Sequence, residues 1–180
     1  MSALEYPLAM TREAFEAWAP TVTERWEWVR GFAIPVPHAF AGGTWAHARV
    51  ASRIFAKLSA GLQAPCEPVI GALMRLATPT SQRYGDIYIV CEQIDPAATV
   101  LATPKVVIEV VSHESVERDL FEKRDEYLGI AGLEAYFASS KRSVASWSTP
   151  HAGNMRRSST VIQSGFTASR SRWQSFFAEL

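Results

Sequence analysis

The sequence has few cysteines, no excess charge of either sign and no long apolar run. Its 180 residues include two cysteines, Cys66 and Cys91, and 18 basic residues balance 18 acidic ones. The cysteines lack the spacing of metal ligands and the number of a disulfide framework, so we expect both to be small core residues. No apolar run approaches the length of a membrane span, and the start, MSALEYPLAM, lacks the features of a signal peptide. These absences predict one cytoplasmic domain over residues 1–180, with no membrane association.

Charge is unevenly distributed along the chain. Residues 139–178 carry six basic side chains and no acid, whereas the preceding residues are acidic overall. The six are Lys141, Arg142, Arg156, Arg157, Arg170 and Arg172. A basic segment on an acidic body can help to hold a polyanion such as nucleic acid, although a solvated surface explains the same composition. We therefore treat residues 139–180 as a basic C-terminal segment of the domain.

Hydrophobic periodicity predicts a core of helix, three strands, helix and strand. Thr44 can cap a helix over residues 45–62, and CEPVIGALMRLAT, RYGDIYIVC and KVVIEVV read as strands. SVERDLFEKRDEYLGIAG is typical of an amphipathic helix, and LEAYFAS of a fourth strand. Ahead of them, Thr11 can cap a short helix and RWEWVRGFAIPVP suggests a hairpin turning at Gly31. We expect a meander of three antiparallel strands, then a crossover to a parallel strand, in one mixed α/β sheet covered by helices.

Three charged residues fall in positions where apolar side chains are expected. Glu109 interrupts KVVIEVV, and Asp86 directly precedes IYIV on the neighbouring strand. Lys123 lies on the apolar stripe of the second helix, with Val116, Leu120 and Tyr127. Two carboxylates on adjacent strands can hold Mg²⁺, with water and a substrate phosphate completing its shell. A buried ion network without chemistry explains the same pattern equally well.

Five short motifs, in order, resemble the PD-(D/E)XK restriction-endonuclease-like superfamily. They are RWEWVRG, AGGTWAH, RYGDIYIV, IEVVSHES and DLFEKRDEY, and together they cover roughly residues 8–147. The resemblance is closest to the expanded bacterial family of small predicted restriction endonucleases, formerly a domain of unknown function. It departs from that family where prolines are replaced by Gly85 and His113, and in the C-terminal quarter.

This resemblance implies a divalent-metal site and a catalytic lysine. Asp86, Glu109 and the backbone carbonyl of Val110 match the metal ligands, with Mg²⁺ expected and Mn²⁺ as an alternative. The superfamily often has its lysine two residues after the glutamate, where this chain has Val111. In the family it is displaced to the next helix, where Lys123 stands.

Three further residues match the family in supporting positions. Glu27 matches the acid of the hairpin and is a candidate to bind the metal or orient a water. His47 and Asp119 match residues beside the site. For His47 we favour a hydrogen-bonded residue on an apolar face, and for Asp119 a pair with Lys123.

The resemblance implies a metal-dependent endonuclease that hydrolyses phosphodiester bonds, with DNA as the expected substrate. Two alternatives stay open. One is a degenerate member that binds nucleic acid without cutting it. The other is an assembly module that forms a homodimer through aromatic surface such as Trp26, Trp28 and Trp45.

Overall fold

Two six-stranded sheets and three helices form the described part of the chain. The computed structural model describes residues 7–36, 44–71, 74–111 and 121–139, and the backbone of two later strands at 144–148 and 159–162. In chain order the elements are β1 (Leu8–Ala9), α1 (Arg12–Trp18), a 3-10 turn (Ala19–Thr21), β2 (Trp26–Val29), β3 (Phe32–Pro35), α2 (Trp45–Gly61), β4 (Glu67–Ile70), β5 (Arg75–Ala77), β6 (Ser81–Tyr84), β7 (Ile87–Val90), β8 (Val100–Leu101), β9 (Val106–Val110), α3 (Lys123–Tyr127), β10 (Ala135–Ser139), β11 (Val144–Ser148) and β12 (Ser159–Ile162).

Local signals fix the starts of α1 and α2 and the turn of the first hairpin. The side chains of Thr11 and Thr44 accept hydrogen bonds from backbone N–H groups in the first turn of each helix, as predicted. The β2–β3 hairpin turns at Arg30 and Gly31, which have φ values of 49° and 93°. Two successive residues with positive φ match the twist of antiparallel strands, and glycine adopts such values without steric cost.

The predicted α/β fold with a mixed sheet is confirmed, and the structure adds that the strands divide between two sheets. The hairpin sheet has the order β1-β3-β2-β6-β5-β8, and the central sheet has the order β12-β11-β10-β9-β7-β4. CEPVIGALMRLAT and RYGDIYIVC are each two strands, β4 with β5 and β6 with β7, and each pair splits between the sheets. The split occurs where two backbones cross closely. A Cβ on Gly71 would lie 2.7 Å from the carbonyl oxygen of Gly85, a spacing that excludes other residues.

The central sheet has the connectivity that the sequence predicted. β4 pairs antiparallel with β7, β7 pairs antiparallel with β9, and β9 pairs parallel with β10 after the α3 crossover. Ile54 and Leu58 of α2 pack on one face with Ile87 and Ile108. On the opposite face, Tyr127 of α3 packs with Tyr88 and Val107 of the sheet. The sheet is therefore covered on both faces, and the carboxyl end of β9 lies between the two helices.

The aromatic surface that we proposed for a homodimer is mostly buried. Trp26 and Trp28 are 4% and 9% exposed and form a core with Phe15 and Ala33. They are buried because the hairpin sheet packs this face against α1. Trp45, at 81% exposure, lies on the surface as expected.

The interpretation of the two cysteines as separate core residues is also wrong. Cys66 and Cys91 form a disulfide, although both do pack against the core beside α2. They lie one position beyond the β4–β7 pair Glu67–Val90, so the strand register places them opposite each other. Disulfides persist mainly in oxidising compartments, which does not favour the cytoplasmic location that we expected.

The C-terminal segment contains β11 and β12. The side chains of its six basic residues lie outside the described part, so the polyanion prediction for this segment stays a prediction. Across the described residues, no helix has both the length and the apolar character needed to cross a membrane.

Candidate active site

Glu109 is a buried carboxylate at the carboxyl end of β9. It is 2% exposed, and the other members of β9 are buried apolar residues. An unpaired carboxylate in an apolar strand costs on the order of several kcal/mol of folding free energy, or it binds a proton and becomes neutral. Alternation along β9 directs Glu109 to the face covered by α3. Its contacts on that face therefore decide how its charge is balanced.

Lys123 provides the compensating positive charge. Its Nζ atom donates to Oε1 of Glu109 and to the backbone carbonyl of Tyr84, each at 3.0 Å. Lys123 is 5% exposed, which confirms the prediction that it points back to the strand ends and not into solvent. The hydroxyl of Tyr127, one turn further along α3, also donates to Oε1 of Glu109, at 3.2 Å.

Burial and nearby acids keep two tyrosines of this site in the neutral form. Burial raises the pKa of the Tyr127 hydroxyl well above its usual value, and the charge of Glu109 raises it further. The same two causes raise the pKa of Tyr88, whose hydroxyl accepts from the N–H of Gly85 and donates to the carbonyl of Met74. Both hydroxyls are therefore fixed hydrogen-bonding groups that stay protonated through the physiological range.

Asp86 lies at the same end of the sheet, directly before β7. Its Oδ2 atom accepts from the backbone N–H of Val110 at 2.6 Å and lies 3.2 Å from Nε2 of His47. Burial acts to raise the pKa of the carboxyl, but the hydrogen bond and charge of His47, the Val110 N–H and the charge of Lys123 outweigh it. The pKa of Asp86 therefore lies below its ordinary value, which keeps the carboxylate charged.

Strand register brings Asp86 and Glu109 to the same place. β7 and β9 pair Ile87 with Ile108, so the next position of the ladder sets Asp86 opposite Glu109. Regular alternation along β7 would place the Asp86 side chain on the same face of the sheet as Tyr88. Asp86 lies just before the first residue of β7, so this alternation does not constrain it. Its bond to a backbone N–H, which points within the plane of the sheet, places its carboxylate at the end of the sheet and not over one face.

A second ion network adjoins this site and contains Glu27. Oε1 of Glu27 accepts from the N–H of Tyr84 at 3.0 Å, and Oε2 lies 3.4 Å from Nη1 of Arg83. Arg83 also forms two hydrogen bonds with Glu126 of α3, at 2.7 and 3.0 Å. Burial acts to lower the pKa of Arg83, but its acidic partners outweigh that effect and raise it. This network ties β2 and β6 to the helix that carries Lys123.

Gly85 provides the space that Tyr88 and Glu109 occupy. A Cβ at this position would lie 2.9 Å from a ring carbon of Tyr88 and 3.1 Å from Oε1 of Glu109. Any larger residue would therefore displace the Tyr88 ring or the carboxylate.

The structure brings together most of the residues that the sequence singled out. Asp86, Glu109, Lys123 and Val110 converge directly, and His47 joins them through Asp86. Glu27 is nearby but is engaged by Arg83 and the backbone of Tyr84, so its role as a metal ligand stays a prediction. Asp119 lies outside the described residues.

Several residues of the site were not singled out from the sequence. They are Tyr84, whose carbonyl accepts from Lys123, and Arg83 and Glu126 of the second network. Arg83 gave no signal, because its neighbours in β6, Ser81 and Gln82, are polar as well. Glu126 gave none, because an acid in an amphipathic helix is normally solvated.

The donor set suits Mg²⁺ better than a metal that needs several side chains. Within the described ranges, no group of three or more His, Cys, Asp or Glu side chains is placed to hold a metal ion. Mg²⁺ commonly takes only one or two protein carboxylates and keeps several waters. Both contacts of Asp86 fall on Oδ2, so Oδ1 has no hydrogen-bond partner among the described residues. Asp86 and Glu109 therefore fit a two-carboxylate magnesium site.

The fold and this site define the chain as a restriction-endonuclease-like α/β protein. The model of the Uma2 family, described as "Putative restriction endonuclease", matches residues 12–171, and the chain belongs to that family. The match extends into the basic C-terminal segment, beyond the motifs that carried the resemblance. No curated protein matches the chain at a significant level.

A solved structure supports the fold assignment. The crystal structure of "a putative nuclease belonging to DUF820" from Anabaena variabilis ATCC 29413 superposes with a TM-score of 0.62, at 14% sequence identity. The likeness covers 89% of this chain and 89% of that chain. At this identity the comparison establishes a common fold.

Proposed function

We propose that this protein is a magnesium-dependent endonuclease that hydrolyses phosphodiester bonds in DNA. One observation carries the proposal. A charged Asp86 carboxylate, the buried Glu109 carboxylate and the Lys123 ammonium group meet at one end of the central sheet. Membership of the family supports nuclease chemistry, and DNA is the substrate implied by its description.

The chain supplies the ligands of the metal from two strands. Asp86 and Glu109 would hold the ion, and the carbonyl of Val110 is the third candidate ligand. In an extended strand the N–H and C=O of one residue point to the same side. Because Asp86 accepts from the Val110 N–H, the Val110 carbonyl is directed toward the same edge. When bound, Mg²⁺ polarises the scissile phosphate and lowers the pKa of a coordinated water.

The other side chains position groups for an in-line attack by water. Lys123 would orient the attacking water or stabilise negative charge on the phosphoryl oxygens, because its ammonium group lies beside the Glu109 carboxylate. Tyr127 holds Glu109 from α3, and His47 holds Asp86 from α2. Glu27 keeps Tyr84, and through it the carbonyl that Lys123 binds, in place.

Cleavage assays test this proposal. Supercoiled plasmid, single-stranded DNA and RNA should be incubated with the protein in Mg²⁺, in Mn²⁺ and in chelator. We expect the plasmid to be nicked or linearised with metal, and Glu109→Gln and Asp86→Asn to abolish cleavage. Glu134→Gln, a change of the same type at a partly buried acid before β10, should cleave normally. Cleavage that survives in chelator, or in both site variants, would contradict the proposal.

The same assays separate the alternatives. A degenerate member would bind nucleic acid and leave every substrate intact in both metals. An assembly module would neither bind nor cut. The burial of Trp26 and Trp28 removes two of the three aromatic residues on which that alternative depended.

A further inference from the structure

The exposed face of α2 carries an aromatic residue followed by a row of cations. Trp45, Arg49, Arg53 and Lys57 recur every four residues, and all four are exposed. Trp45 is 81% exposed, the highest value among the exposed large apolar side chains of the described chain. Residues at this spacing form one slanting ridge on a helix. We call these four residues the α2 ridge.

The charge of α2 is one-sided. Residues 45–61 contain no aspartate or glutamate, so no acid within the helix pairs with the ridge at the i, i+4 spacing. Most exposed helix faces carry both basic and acidic side chains. The whole chain has 18 of each, so the excess of basic side chains on α2 is a local feature. The opposite side of the helix is used by the core, through Ile54 and Leu58. The ridge is therefore an exposed cationic surface on the side of α2 away from the core.

The ridge begins at the N-terminal end of α2, the end that contacts the candidate active site through His47. The side chains of Trp45 and His47 point to different sides of the helix. Trp45 lies two residues before His47, whose ring contacts the Asp86 carboxylate. At a rise of about 1.5 Å per residue, Trp45 and Lys57 are about 18 Å apart along the axis. A stacked nucleic-acid strand advances about 3.4 Å per nucleotide, so the ridge matches about five nucleotides.

We propose that the α2 ridge binds the nucleic-acid strand beside the scissile phosphate, with an unpaired base stacked on Trp45. This inference rests on the proposed nuclease function and specifies its substrate as DNA with single-stranded character. Arg49 and Arg53 contact phosphates about two nucleotides apart, because four residues of helix rise about 6 Å and a stacked strand about 3.4 Å per nucleotide. Such phosphate contacts position a strand without reading its sequence. An exposed indole next to such a row suits base stacking, which tolerates any base.

Binding without cleavage tests the ridge. The full-length protein in chelator is titrated into a labelled single-stranded oligonucleotide and a duplex of equal length, at several salt concentrations. We expect Trp45→Ala to weaken single-strand binding at least about fivefold and to reduce the preference for single strands. Arg49→Gln with Arg53→Gln should lower the log–log salt slope by about 1.4, which corresponds to two phosphates on a single strand.

A matched control removes a charge that lies outside α2. Arg30→Asn neutralises an exposed arginine in the β2–β3 turn, and asparagine tolerates the positive φ of that position. It should leave affinity and salt slope unchanged. Circular dichroism of each variant confirms folding, which is expected because all three ridge positions are exposed.

The outcomes separate this inference from the proposed function. If the wild type cuts DNA and the ridge variants bind as tightly as the wild type, the binding role of the ridge is refuted and the nuclease function stands. If the ridge variants lose binding but the wild type cuts no substrate, the nucleic-acid-binding role of the ridge is supported and the nuclease function is refuted. Loss of binding with the arginine changes but not with Trp45→Ala overturns the stacked base and leaves a general polyanion surface.

Discussion

Replacing Lys123 by methionine tests whether Glu109 is held by this lysine. The change keeps a long apolar stem and removes the ammonium group, which lies 3.0 Å from Oε1 of Glu109. At an effective dielectric constant of about 20, two unit charges at this distance attract by about 5 kcal/mol. Breaking a buried pair at one partner costs about 3–5 kcal/mol, because the other charge stays buried. We therefore expect Lys123→Met to lose about 3–5 kcal/mol of unfolding free energy.

Urea denaturation of four proteins measures this effect. They are the wild type, Lys123→Met, Glu109→Gln and the double variant. A neutral glutamine needs no counter-charge, so the double variant should be at least about 1 kcal/mol more stable than Lys123→Met. Lys105→Met, which removes a lysine at the other end of β9, should cost much less because Lys105 is only partly buried.

Mg²⁺ adds a readout that a purely structural ion pair would not give. A divalent ion bound beside Glu109 replaces part of the lost positive charge, so Mg²⁺ should stabilise Lys123→Met by more than it stabilises the double variant. Additive losses in the double variant would refute the coupling between Lys123 and Glu109. Equal responses of all four proteins to Mg²⁺ would refute the metal at this position.

Three further changes test the surroundings of the site. Gly85→Ala should cost about 1–3 kcal/mol in thermal or urea unfolding, because its Cβ would press on the rigid Tyr88 ring. Arg83→Met should cost about 3–5 kcal/mol in the same measurement, because it leaves Glu126 buried with its main partner removed. The raised pKa values of Tyr88 and Tyr127 mean that the folded state keeps protons that the unfolded chain loses above about pH 10. Stability should therefore be complete below that pH and fall as pH rises toward the folded-state pKa values.

Each of these predictions has a control. Gly61→Ala, at the exposed end of α2, should be close to neutral, and an equal loss there would contradict the crowding at Gly85. For Arg83→Met, recovery in a double variant with Glu126→Gln is expected, and additive losses would contradict the pair. Absorbance titration should show that Tyr88 and Tyr127, among the five tyrosines, ionise only as the protein unfolds. Five tyrosines that titrate near pH 10 in the folded protein would contradict the burial argument.

The sequence predicted the α/β core and the convergence of Asp86, Glu109 and Lys123, but not the division of the strands between two sheets. Asp86, Glu109 and Lys123 could be found because each breaks a hydrophobic pattern, and a charge in an apolar stripe requires a partner. The hairpin at Gly31 and the caps at Thr11 and Thr44 were predictable because they depend on neighbouring residues alone.

The errors concern contacts between residues distant in the chain. The break at Gly71 lies within an apolar run, and the break at Gly85 lies within a stretch that reads as one strand. At both, the close crossing of two backbones ends the strand. The disulfide depends on the register of β4 and β7, which two isolated cysteines do not indicate. The pair of Arg83 and Glu126 joins a strand to a helix 43 residues later, and neither spacing nor composition predicts it.

The central claim is that Asp86 and Glu109 hold a divalent ion, and anomalous diffraction tests it most directly. Crystals of the wild type, Asp86→Asn and Glu109→Gln are soaked in Mn²⁺ and measured where manganese scatters anomalously. We predict one strong peak within bonding distance of both carboxylates in the wild type, and its loss in each variant. A wild-type crystal without a peak between Asp86 and Glu109, or a peak that persists in Glu109→Gln, would contradict the claim.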